Sequence, residues 1–355
     1  MNNSLNIQVT SSPVLVDLIF DVSSIGQLLY MYSAFEEVFS ADSSMLIWHG
    51  KESDLSLAGS LVKLPQNVVF LDVITKDTIL MKDFKTIKKI KNFLVTINKC
   101  PNTTRLCTAY GSGLYFELIK STLCIDNNNI IQFDDGLNEL LEVNNYRIIK
   151  SLISMIHGIA FFPSKYKLFS DSRFMHIYTS INPDHVVRDT TKKVVDISER
   201  VSRTFRHISD LNLNIKSSKS AVLMTTHSVE SGRTSKKEFQ SLIGDVYNKL
   251  KDFGAQEIFL SKHPTEKYEN DEFYESIGLN TLYQDFPSEL LVANKNITFI
   301  GNPFNSTLIM CDHLKLLKHI EMVVSYWPVN APHKAQRTQM IESLLLKYTA
   351  NHHII

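Results

Sequence analysis

The feature that most constrains this chain is a strand–helix–strand pattern in its second half. Residues 221–224 form a short apolar run, and Thr225-Thr226-His227-Ser228 follow as a loop. Ser235 and Glu238 then stand at the spacing of a capping box, which opens a helix. Within that helix Phe239, Leu242, Ile243, Val246 and Leu250 recur on one face, and Gly254 supplies the stop. Residues 258–260 give the next apolar run. Two strands joined through a helix cross over to lie parallel, so the unit predicts a parallel sheet covered by helices. The pattern continues with a short helix at 287–292, a strand at 297–300, a helix opening at Ser306 and a strand at 322–325. After Pro332, Ile341, Leu344, Leu345 and Tyr348 line one face of a terminal helix.

The first half alternates in the same way. A strand is expected at 6–10, and Ser12 and Pro13 predict an N-cap and first-turn proline for a helix from about Val14. Apolar runs at 45–48, 68–73, 106–109 and 130–133 read as buried strands between helices. Residues 142–205 are mostly helical in pattern, broken near Pro163 and Pro183. The polar stretch SDLNLNIKSSKS at 209–220 carries no sustained period and reads as a boundary. With 355 residues, the chain exceeds what one core usually serves. The expectation is therefore an α/β protein of two Rossmann-like domains, 1–212 and 213–330, with parallel sheets facing a central cleft where such folds place ligands. A C-terminal helix over 331–355 can pack back on the first domain.

Composition narrows the function. The 37 Lys and Arg balance 37 Asp and Glu, so there is no basic surplus of the kind a nucleic-acid binder shows. Cys100, Cys107, Cys124 and Cys311 form no CxxC pair and read as reduced thiols. The first residues have neither a basic segment nor an apolar signal core, and the apolar stretch at 152–162 is too short to span a bilayer. A cytoplasmic location is expected. Peripheral contact with the inner face of the membrane stays open, because the helix predicted at 82–99 sets lysines beside an apolar stripe of Phe84, Ile87, Ile90, Leu94 and Ile97. That stripe is most simply a core face. Nothing in the sequence points to an oligomeric state.

Four positions could carry chemistry. Asp134-Asp135-Gly136 ends a strand, where one carboxylate can serve as a general base; Asp-Gly is also ordinary turn chemistry. His263-Pro264 follows a strand, and the proline restricts His263 to extended backbone, while Lys262 adds a cation suited to phosphate. Ser306-Thr307 opens a helix, which makes either an anion site or a plain N-cap. Glu289 starts the preceding short helix, where it can cap the helix or bind ribose hydroxyls. Gly111-Ser112-Gly113 is neither a GxGxxG fingerprint nor a Walker loop, and reads as a tight turn.

In this order, FDDG at 133–136, SKHP at 261–264 and NST at 305–307, the chain resembles the bacterial sialyltransferases of GT-B architecture. The spacing from His263 to Glu289 is also similar to that family's. The resemblance is carried by sparse motifs between about 129 and 307. It implies an inverting transfer of sialic acid, or a related nonulosonic acid, from a CMP-activated donor to a hydroxyl of a surface glycan such as lipooligosaccharide or capsule. No cofactor or metal is implied. By motif, Asp135 would deprotonate the acceptor and His263 would protonate or stabilise the departing CMP phosphate. Ser306 and Thr307 would hold that phosphate, Glu289 the ribose, with Lys262 and Pro264 on the donor side and Asp134 and Gly136 in support. The third motif is Ser-Thr rather than the commoner Ser-Ser, which keeps both hydroxyls. Two other readings stay open: a GT-B transferase or epimerase using a UDP-sugar, and a non-catalytic glycan-binding capsule-assembly protein.

Overall fold

The computed structural model describes residues 15–71, 84–99, 102–109, 114–133, 176–179, 193–230, 232, 234–263, 266, 271–303, 306–326 and 352–355. The chain divides into two compact units, 1–201 and 202–355.

The first unit runs β1 (Leu18–Val22), α1 (Ile25–Phe39), β2 (Ser44–Trp48), α2 (Glu52–Leu61), β3 (Asn67–Phe70), α3 (Phe84–Val95), β4 (Arg105–Thr108), α4 (Leu114–Leu123), β5 (Ile130–Phe133), β6 (His176–Thr179) and β7 (Lys193–Asp196). Helix α5 (Ser198–Asn212) follows, and the division between units falls inside it, ahead of the polar stretch at 213–219. The seven strands pair in the order β3-β2-β1-β4-β5-β6-β7, all parallel.

Two expectations for this unit are corrected. The predicted helix from about Val14 is not formed; Leu18–Val22 is a fully buried strand, and the helix begins at Ile25. The apolar run at 18–20 outweighs the Ser-Pro cap signal, because β1 is flanked by strands on both sides. The working cap is Ser24, whose hydroxyl accepts the Gln27 N–H at 3.3 Å, while Gln27 Oε1 accepts the Ser23 N–H and O–H, each at 3.0 Å. The mostly helical stretch at 142–205 also contains two strands, β6 and β7, whose β-branched and aromatic residues extend the sheet. The strand expected at 6–10 lies outside the described residues.

The lysine-flanked stripe packs inward. Ile87, Ile90, Leu94 and Ile97 are buried with Ile19, Ile47 and Leu106 of the sheet. Each fully buried side chain of this kind contributes about 1.5–3 kcal/mol. Among the described residues no helix is long and apolar enough to cross a membrane. Of the described cysteines, Cys107 and Cys311 are buried and Cys124 is exposed, all as free thiols.

One polar row interrupts the apolar sheet. Asp21, Thr108 and Gln132 are lateral partners across β1, β4 and β5, so their side chains share one face. Asp21 is 1% exposed, and it is the one buried ionic side chain among the described residues of this unit. Its Oδ1 lies 2.7 Å from His49 Nε2, and its Oδ2 accepts the Thr108 hydroxyl at 3.0 Å. This carboxylate ties the ends of β1 and β4 to the residue after β2. Asp21→Ala is expected to cost about 1–3 kcal/mol, measured as a lowered urea midpoint, since it removes the carboxylate that accepts the buried Thr108 hydroxyl.

The second unit runs β8 (Ser220–Met224), α6 (Lys236–Asp252), β9 (Glu257–Ser261), α7 (Asp271–Ser276), α8 (Ser288–Val292), β10 (Ile297–Asn302), α9 (Ser306–His313), β11 (Met322–Ser325) and β12 (His352–Ile354). The order is β12-β11-β10-β8-β9, again all parallel. The predicted crossover is present: β8 and β9 pair in parallel through α6. Ser235 Oγ accepts the Glu238 N–H at 3.3 Å, and Glu238 Oε2 accepts the Ser235 N–H at 3.0 Å. Gly254 ends the helix at φ +100°, a conformation other residues rarely adopt. A Cβ at Gly301 would stand 2.9 Å from Val246 Cγ1, so glycine lets α6 lie close on β10. The helix expected over 331–355 is corrected at its end: residues 352–354 form strand β12 on the edge of this sheet, with Val323 opposite His352. The rest of that segment, to 351, lies outside the described residues.

Candidate functional site

Counted from β8, the second sheet has the strand order 2-1-3-4-5. The chain leaves β8 for β9 on one side and returns to β10 on the other, so the topological switch point lies between β8 and β10. Ligands of open α/β sheets bind at the carboxyl ends beside such a point. The described residues that leave those ends are 225–228 after β8, 262 and 263 after β9 and 303 after β10.

His263 stands two residues past β9 and is half-buried. Its backbone N–H donates to Thr225 Oγ1 at 3.1 Å, and its carbonyl accepts the Glu266 N–H at 2.9 Å. The Glu266 carboxylate, itself buried, accepts the Thr225 hydroxyl and the Tyr274 hydroxyl of α7. Thr225 also donates its N–H to the Ser261 carbonyl at 3.0 Å, so the loops after β8 and β9 are laced together. The His263 ring lies 4.5 Å from the His227 ring, tilted by 37°. Burial, the neighbouring His227 and, in the opposite sense, Glu230 leave the His263 pKa lowered to about 4. The folded site thus prefers the neutral imidazole. Its contribution to stability is present above the unfolded value near 6.5 and is lost as pH falls toward about 4.

The other predicted residues that the structure describes gather at the same edge of this sheet. Lys262 is buried and its ammonium contacts Asp271 Oδ1 at 2.5 Å, which ties the end of β9 to α7. Ser261 and Ser288 share a hydroxyl hydrogen bond of 2.7 Å, bringing the start of α8 to the end of β9. Glu289, the second residue of α8, is half-buried; burial first, and the Glu289 charge after it, hold the Cys311 thiol of α9 well above its usual pKa. Ser306 is the first residue of α9 and Thr307, half-buried, is the second, so the helix amides open at the end of β10. Asp134, Asp135, Gly136 and Pro264 lie outside the described residues, as does Gly111-Ser112-Gly113.

Several residues here escape sequence reasoning. His227 reads only as loop, and its one signal is its position just past β8 at the switch point. Thr225, Glu266 and Tyr274 have no motif; their network exists because residue 266 and α7 fold back onto the end of β8.

Two successive units with all-parallel sheets, one ordered 3-2-1-4-5 and extended by two strands, the other 2-1-3-4-5, are Rossmann-like domains in GT-B arrangement along the chain. No protein-family profile matches the sequence, and no curated protein matches it. Among solved structures, the chain is similar to an α/β-galactoside α-2,3-sialyltransferase from the luminous marine bacterium Photobacterium phosphoreum, with a TM-score of 0.54 and 12% identity over 97% of this chain and 99% of that one. It is also similar to the Methanocaldococcus jannaschii UDP-GlcNAc 2-epimerase bound to UDP-GlcNAc and UDP, with a TM-score of 0.53 and 13% identity over 96% and 89%. A third is S. aureus MnaA with UDP, with a TM-score of 0.51 and 11% identity over 88% and 79%. At these identities the likeness establishes the fold.

Proposed function

We propose that this protein is an inverting glycosyltransferase that moves a sialic acid or related nonulosonic acid from a CMP-activated donor to a glycan hydroxyl. One observation carries the reading: His263, Glu289 and the Ser306-Thr307 helix start share the carboxyl edge of one parallel sheet. These are the positions that the motif resemblance gives to the donor. The likeness in fold to the Photobacterium sialyltransferase over nearly the whole of both chains supports it.

The chemistry suits the residues. As the bond to the anomeric carbon opens, negative charge grows on the leaving phosphate. The amides and hydroxyls at the start of α9 can receive that charge without a divalent cation, and His263 can give it a proton. Glu289 offers a carboxylate for paired ribose hydroxyls. Asp135 would take the acceptor's proton. A surface glycan such as lipooligosaccharide or capsule is the proposed acceptor, and peripheral membrane contact would bring the enzyme to it.

A UDP-sugar reading is favoured by a separate observation, the comparable likeness to the UDP-GlcNAc 2-epimerase. A nucleotide panel separates the two. CMP and CDP are expected to bind and UDP to bind at least tenfold more weakly, a difference of about 1.4 kcal/mol or more. CMP-sialic acid should release CMP, and an acceptor glycan should accelerate that release in the presence of EDTA. Preferential UDP binding would move the protein to the second reading, and nucleotide binding without any turnover would make it a glycan-binding factor that keeps the fold.

A further inference from the structure

Two histidines meet where the loops after β8 and β9 are laced together, and only one of them belongs to a motif. Their ring centroids are 4.5 Å apart, in a site where His263 is half-buried. Two imidazolium ions at that separation repel strongly in a partly desolvated site, so near neutral pH at most one of the two rings is charged and the pair titrates as a unit. The other ionisable groups around the pair are largely engaged with one another. Lys262 is on Asp271, and Glu266 is held by Thr225 and Tyr274, with Tyr326 beside it. Glu230 is the carboxylate that acts on His263. An arriving phosphate dianion would add negative charge beside the pair and favour its protonated form.

We propose that His227 and His263 act as one proton-holding pair that takes up a proton when a nucleotide's phosphate binds at the carboxyl edge of the second sheet. This deepens the transferase reading and rests on it for the identity of the nucleotide. It gives the neutral His263 of the free protein a way to arrive at the transfer step as an acid. In that step the bond between the anomeric carbon and the phosphate oxygen breaks, with its electron pair staying on the phosphate. The acceptor oxygen forms the new bond and its proton goes to Asp135, while the imidazolium of His263 returns its proton to the phosphate oxygen. His227 is thus a positioning residue: it sets when His263 is charged.

The test uses the full chain. Calorimetric titration with CMP at pH 6, in buffers of different ionisation enthalpy and corrected for the phosphate's own second ionisation near that pH, should show uptake by the protein approaching about one proton per nucleotide bound. His227→Asn, with His227→Gln beside it and urea midpoints as the check on folding, should take up measurably less, because His263 is then partly charged beforehand while its burial remains. In the free protein the NMR titration midpoint of His263 should rise toward the ordinary value near 6.5 in both variants. A midpoint unchanged by either substitution overturns the proposal, as does nucleotide binding with no proton uptake. UMP, UDP and ADP are run as well. If one of these binds with uptake and CMP does not bind, the CMP reading fails and the pair stands; if none of the four binds, the phosphate role is lost.

Discussion

His263→Ala is expected to lower glycosyl transfer from CMP-sialic acid by about 10²–10⁴-fold, the range associated with a positioned general acid. The loss should fall mainly on kcat, with CMP affinity lowered by about tenfold, the part of phosphate binding that is linked to the imidazolium. The phosphate contacts proposed for the start of α9 would come from a different loop and would remain. Folding should survive, since the contacts that anchor this loop to Thr225 and Glu266 use the His263 backbone. Release of CMP without acceptor should fall in parallel, because the same leaving group is protonated in both reactions. Steady-state rates for transfer and hydrolysis, measured on one preparation, check this. Near-wild-type rates would end the role assigned to His263.

Asp135→Asn is expected to lose transfer on a similar scale, about 10²–10⁴-fold, with a different signature. Asparagine keeps the size of the side chain and its fitness for a turn, but cannot take the acceptor's proton. CMP release in the absence of acceptor should stay within a few-fold of wild type, because leaving-group departure does not use this carboxylate. The two variants therefore split the reaction: one loses both activities, and the other loses only transfer. Asp135 follows the carboxyl end of β5 by two residues, the end of a parallel strand at which α/β proteins put such groups. Equal loss of hydrolysis and transfer in Asp135→Asn would place that residue on the donor side instead.

What could be read from the sequence followed from agreement between levels. The crossover from 220 to 261 is legible because capping box, helical stripe, glycine stop and flanking apolar runs all specify one outcome. Where signals competed, the local one lost: Ser12-Pro13 marks a helix start, yet the apolar run after it goes to the centre of a sheet. Strands β6 and β7 are four residues each, too short for periodicity to distinguish strand from helix. The site divides along the same line. His263, Glu289 and Ser306 can be singled out because each stands at or beside a readable element boundary. The His227 contact and the Glu266 network are invisible because they depend on which loops meet, and strand order settles that only after the sheet forms. Asp21 and His49 are likewise brought together by the pairing of β1 with β2, not by any spacing along the chain.

The parallel pairing of every described strand has a kinetic side. No two neighbours in either sheet can zip up as a hairpin; each pair closes only after a crossover has been made, and such long-range closure slows folding. The effect is greatest at β12. Its residues 352–354 pair with β11, separated from it in sequence by residues 326–351. On the ribosome the outer edge of β11 stays uncovered until those residues emerge, and an uncovered edge strand is a template for pairing with another chain. The order of synthesis, as much as the order of strands, decides how long that edge stays open.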